Sequence, residues 1–81
     1  MAKRASGSAG NGANQDKLGR RIYKLRNAKG WSQETLARRC GIHAHHLGKI
    51  ERGEANATLA TLLAIARPLR ITISDLFQGI S

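Results

Sequence analysis

The stretch QETLARRCGIHAHHLGKI, residues 33–50, decides how this chain folds. Counted from Gln33, a small residue stands fifth (Ala37), a glycine ninth (Gly41), and apolar residues fourth, fifteenth and eighteenth (Leu36, Leu47, Ile50). Two helices that cross at ~90–120° through a tight turn approach closely, so the fifth position has to be small. The turn itself needs a residue that tolerates positive φ, which a glycine supplies without a Cβ penalty. Leu36, Leu47 and Ile50 then pin both helices to the rest of a core. An Ala-x-x-x-Gly alone is a weak signal; five matched positions are a strong one.

Working outward, Ser32 is a good N-cap for the first of these two helices, with Trp31 before it and Leu36 inside placed to form a hydrophobic staple. Upstream, Leu18, Ile22 and Leu25 fall at i, i+4 and i+7 with Arg20, Arg21 and Lys24 elsewhere, which predicts an amphipathic helix from Asp16 to about Ala28, closed by Lys29-Gly30. The second helix runs to about Arg39 or Cys40, and the third covers roughly His43 to Arg52, stopped by Gly53. Downstream, Thr58 caps a strongly apolar fourth helix (Leu59, Leu62, Leu63, Ile65, Ala66, Leu69), which Pro68 is expected to end or kink. Thr72 with Asp75 resembles a capping box ahead of a short fifth helix carrying Leu76 and Phe77. The alternation in residues 70–73 is too short to outweigh these helical signals, and no repeat is visible. The expected fold is all-α, five helices in one domain over residues 16–81. Residues 1–15, MAKRASGSAGNGANQ, hold no large apolar side chain beyond Met1 and are expected to form a flexible basic arm, with Lys3 and Arg4 able to touch a DNA backbone.

Composition agrees. Eighty-one residues allow one modest core, and one Trp, one Tyr and one Phe suit an aromatic-poor helical bundle. The lone Cys40, expected in the core, excludes an intrachain disulfide, and no apolar run approaches a membrane span, so a cytoplasmic protein is expected. Fourteen Lys and Arg face five Asp and Glu, a net +9. Two of those cations lie in residues 1–15, so residues 16–81 carry twelve against five, or +7. Such an excess favours a polyanionic partner, nucleic acid above all, over a merely solubilising surface.

Three histidines in four positions, His43, His45 and His46, raise a metal reading. A zinc site needs three or four converging ligands, yet His45 points away from the His43/His46 pair and no carboxylate or cysteine pattern completes the set. No metal, cofactor or small-molecule ligand is therefore evident. Neither are paired carboxylates, an activated nucleophile or a phosphate-cradling loop, so the chain does not read as an enzyme. At 100° per residue, Leu47 and Ile50 mark the buried face of the third helix, while His45, Lys49 and Arg52 share the opposite one, with His43 and Ala44 at its N-terminal end.

The phrases Trp31-Ser32-Gln33-Glu34-Thr35-Leu36-Ala37, Lys49-Ile50-Glu51-Arg52-Gly53, and Thr58-Leu59 with Ser74-Asp75-Leu76-Phe77 resemble the phage-repressor and Cro-like, or XRE, helix-turn-helix family over about residues 17–78. Within it, His46 to Gly53 with Asn56 is similar to the small controller proteins of restriction–modification systems. Pro68 departs from the family, which usually continues its fourth helix there, and so does Ala57, where the family often has Pro. The resemblance implies a sequence-specific regulator of transcription on bacterial or phage DNA. It further implies that Ala44, His45 and Lys49 contact bases and that Gln33 and His43 fix the helix on phosphates, with His46 and Arg52 beside them. It pairs Arg26 with Glu51, a carboxylate too costly to bury alone and ill suited to face phosphates.

One such domain reads only a few base pairs, so a homodimer on a palindromic operator is expected, with Ile73, Leu76, Phe77 and Ile80 as interface candidates. At least one of Leu76 and Phe77 is expected to complete the monomer core, which makes Ile73 and Ile80 the better interface candidates. The competing expectation is an antitoxin that uses the same fold to neutralise a partner toxin.

Overall fold

A computed structural model describes residues 4–78 of the chain, with side chains from residue 14 onward. Every regular element among the described residues is helical. They are α1 (Arg4–Ala28), α2 (Gln33–Cys40), α3 (Ala44–Glu51), α4 (Leu59–Leu69) and α5 (Ile73–Leu76).

Local chemistry sets most of the boundaries. The Ser32 hydroxyl accepts from the Thr35 N–H at 3.1 Å to start α2, and Thr58 does the same for Thr61 at 3.1 Å to start α4. At α5 the capping box is reciprocal: the Asp75 N–H donates to Thr72 Oγ1 at 3.0 Å and the Thr72 N–H to Asp75 Oδ2 at 3.2 Å. Gly41 closes α2 in the left-handed region at φ 76°, which turns the chain directly into α3. His43 caps α3 with its backbone alone.

The core gathers Ile22 of α1, Leu36 and Ala37 of α2, Leu47 and Ile50 of α3, Leu62, Ile65 and Leu69 of α4, and Leu76 of α5. α3 packs on α1 and α2, α2 also on α4, and α5 lies under α1 and α4. The α1–α3 crossing is tight at Gly19, where an added Cβ would collide with the carbonyl oxygens of Ile50 and Glu51. Two further links tie the middle of α1 to the rest: the Arg21 guanidinium donates to the Asp75 carbonyl at 3.1 and 3.2 Å, and the Gln15 amide donates to the Asn56 side chain.

The structure amends several expectations. α1 starts at Arg4 and not near Asp16, so the backbone of residues 4–15 is helical. Extending a helix already nucleated by its packed half needs no new nucleation step and no apolar stripe. Pro68 agrees with expectation: it lies in the last turn of α4, which stops one residue later at Leu69 with a left-handed Arg70 at φ 60°. Leu59, expected to help close the core, is 63% exposed, and its neighbour one turn on, Leu63, is 45% exposed. Leu62, Ile65, Ala66 and Leu69 already fill the inward stripe of an eleven-residue helix, leaving those two on its flank. Cys40 sits half-buried at the core edge, not inside it. Among the described residues no helix is long and apolar enough to cross a membrane.

Candidate nucleic-acid interface

α3 is eight residues long, and its two sides differ sharply. Leu47, Gly48, Ile50 and Glu51 are buried. His43 and His45 are exposed, while Ala44, His46 and Lys49 are half-buried. His45 and Lys49 are one turn apart and share one face, as their spacing predicts. Among the described residues no three His, Cys, Asp or Glu side chains converge as a metal site would require.

Beneath this face lies a carboxylate held from three sides. Arg26 of α1 donates through Nε to Glu51 Oε2 at 2.7 Å and through Nη2 to Oε1 at 3.0 Å, with the two side chains 8% and 3% exposed. The fork geometry matches the carboxylate on both oxygens, which a lysine would not achieve. The hydrogen bond to Glu51 raises the Arg26 guanidinium further above its ordinary value. Arg26 Nη1 also donates to the Trp31 carbonyl at 2.8 Å, so one guanidinium ties together α1, the loop before α2, and α3.

The third donor to Glu51 is Gln33, whose Nε2 reaches Oε1 at 3.0 Å. That contact draws the first residue of α2 against α3, beside Gly48, where a Cβ would press on the Gln33 amide and the Arg52 guanidinium. A glycine inside a short helix lowers helix stability by about 1 kcal/mol relative to alanine. Here it opens room for two polar side chains to lie across α3. The Gln33–Glu51 link is absent from the sequence reading; the helical glycine was the local signal of a close approach.

Arg52 behaves differently from His45 and Lys49. It caps α3, and its guanidinium pairs with Glu54, Nε to Oε2 at 3.1 Å and Nη2 to Oε1 at 3.3 Å, with both side chains about half exposed. That hydrogen bond, aided by the charges of Arg52, Lys49 and His45, holds the Glu54 carboxyl below its usual range. Arg52 thus faces solvent as half of an ion pair.

Of the interface candidates, Leu76 is the one that completes the monomer core, as expected of at least one of Leu76 and Phe77. It is fully buried in the monomer and has no surface to offer a second copy. Ile73 and Phe77 are half-buried against the core, and Ile80 lies outside the described residues. Among the described residues the exposed large apolar side chains are instead Leu59 and Leu63 on α4 and Tyr23 on α1.

Comparison with known proteins places this arrangement in company. Residues 22–76 match the Helix-turn-helix family HTH_3. The chain is similar to the control protein C.SmaI of Serratia marcescens, 37% identical over 65 residues that span 78% of this chain and 77% of that protein. It is similar in structure to the restriction-modification controller protein C.AhdI from Aeromonas hydrophila, with a TM-score of 0.79 and 43% identity, covering 80% of this chain and 98% of that one. It is also similar to the transcriptional regulator DdrOP3 of Deinococcus deserti, 34% identical over 64 residues, 79% of this chain and 50% of that protein.

Proposed function

The chain belongs to the Helix-turn-helix family HTH_3 and is a transcriptional regulator with that family's DNA-binding fold, and from this premise we propose that it binds a palindromic operator as a homodimer of the restriction–modification controller type. One observation carries the reading of the surface: Glu51 clamps Arg26 and Gln33 behind α3, so His45 and Lys49 are presented outward on a rigid helix. Ala44, His45 and Lys49 then meet base edges in the major groove. Gln33, His43 and His46 contact the flanking phosphates, and Arg52 joins them by exchanging Glu54 for a phosphate of the same charge sign.

A second copy docks through α4. Leu59 and Leu63 are one turn apart on α4 and exposed, and Ile73 and Phe77 are half-buried at α5, which packs against α4. Burying that stripe about a two-fold axis satisfies apolar surface that the monomer leaves wet, and it sets two α3 helices about one DNA turn apart, ~34 Å. Cytoplasmic action on a bacterial or phage chromosome is part of the same reading.

Footprinting on duplexes recovered from a random pool, repeated across salt, tests the proposal. A bounded, two-fold symmetric footprint is expected, with affinity falling about 10³- to 10⁵-fold between 50 and 200 mM salt if six to ten phosphates are neutralised. Tight capture of a toxin-like protein with salt-insensitive, footprint-free DNA binding would favour the antitoxin instead.

A further inference from the structure

Away from α3, an open cleft of about 430 Å³ is lined by Lys29 and Trp31 from the α1–α2 connection, Arg39 of α2, and Arg67, Pro68 and Arg70 at the end of α4. Its lining holds four cations and no carboxylate. None of the four forms an ion pair among the described residues, whereas Arg26 and Arg52 both do. Like charges gathered round one concavity repel each other and focus a positive potential into it.

Two of the cations also lie against an aromatic ring. The Arg39 guanidinium lies over the Trp31 ring at 4.4 Å from its centroid, and the Lys29 ammonium stands 5.9 Å from the same centroid. Stacking fixes the guanidinium plane and leaves its N–H edges for a further acceptor. Arg70 adds an independent mark. The left-handed positions after α1, α2 and α3 are taken by Gly30, Gly41 and Gly53, but the equivalent one after α4 is taken by Arg70 at φ 60°. A residue with a Cβ is disfavoured in that conformation. An arginine stands where a glycine would fit better, and its side chain lines the cleft.

We propose that this cleft binds the phosphate groups of a nucleotide-sized anion. Its volume suits such a ligand, and arginine forks match phosphate oxygens in pairs. None of the residues lining the cleft is among those proposed to meet DNA. Arg39 lies about 120° round α2 from Gln33, the residue that α2 turns toward α3. The inference does not rest on operator recognition by α3 and can fail or stand separately from it.

Trp31 is the only tryptophan in the chain, so its emission reports on the cleft directly. The probes are sodium tripolyphosphate and ATP, titrated at ionic strength held constant with NaCl, with adenosine as the phosphate-free control. A saturable, one-to-one change in emission is expected with both phosphates and none with adenosine. Arg70→Gly relieves the left-handed strain and keeps the fold, yet it should weaken binding about tenfold, as should Arg67→Gln. Arg38→Gln, an exposed cation outside the lining, should leave the affinity unchanged. A linear response matched by NaCl, or equal affinities in Arg70→Gly and Arg38→Gln, overturns the proposal. A random-sequence duplex separates the two sources of phosphate. If Arg70→Gly weakens duplex binding while tripolyphosphate and ATP leave the emission unaltered, the phosphates belong to DNA and the free-anion site is refuted.

Discussion

Arg26 and Glu51 join α1 to α3 through a two-pronged ion pair, 2.7 and 3.0 Å long, with almost no solvent contact. Removing one member of a buried pair leaves the other charge without a partner, so Glu51→Ala should lower unfolding free energy by about 3–5 kcal/mol. Replacing both by apolar residues, as in Arg26→Met with Glu51→Leu, should cost much less, because no orphan charge remains. Urea denaturation of the three proteins checks this. A loss below about 0.5 kcal/mol in Glu51→Ala, at the level expected of a neutral surface change, would remove the pair from its structural role.

Gly19→Ala sets two effects against each other. Helix propensity alone favours alanine by about 1 kcal/mol. The packing opposes it, because the new Cβ would collide with the carbonyls of Ile50 and Glu51. Overpacking of this kind typically costs 1–3 kcal/mol, so a net loss is expected. A rise in thermal midpoint would show that α1 and α3 cross less closely than described.

Burial pushes the Cys40 thiol from 9.0 up to about 11. The folded value lies above the unfolded one, so the protonated thiol's preference for the fold is fully present below pH 9. It is lost as pH rises from 9 toward 11. The stability difference between wild type and Cys40→Ala should therefore shift against wild type across that window and stay constant from pH 6 to 8. A difference that is flat through pH 10.5 would contradict the burial of this thiol.

The split between what the sequence discloses and what it hides follows the range of the interactions. Ser32, Thr58 and Thr72 act on N–H groups three residues away, and Gly41 acts on its own φ, so the helix starts and the α2–α3 turn are legible from the chain alone. The Arg26–Glu51 juxtaposition came from family resemblance, since nothing local relates residues twenty-five positions apart. Gln33 reaching Glu51 and Gly19 reaching the α3 carbonyls are tertiary contacts with no periodic trace. The apolar pattern of α4 predicted a helix but not its sidedness. Five leucines and isoleucines in eleven residues overfill one face, and only packing decides that Leu59 and Leu63 stay outside.

That exposure leads to the prediction on assembly. Leu63→Asp places a charge in the proposed α4 interface without touching the core, so the fold should survive while association is lost. Sedimentation at micromolar concentration should show wild type as a dimer and Leu63→Asp as a monomer with unchanged helicity. Leu76→Asp, in contrast, should unfold the chain, because that residue is fully buried. A wild type that stays monomeric even on a palindromic duplex would defeat the dimer.

Selection of bound sites from random duplexes by wild type, His45→Ala and Lys49→Ala tests whether the outward face of α3 reads sequence. Wild type should enrich a two-fold symmetric site. Each variant should lose preference at particular base pairs of both half-sites, by about 1–3 kcal/mol where a good base contact disappears, while Gln33→Ala weakens binding more evenly across sequences. Identical base preferences in wild type, His45→Ala and Lys49→Ala would contradict the assignment of α3 as the reading helix.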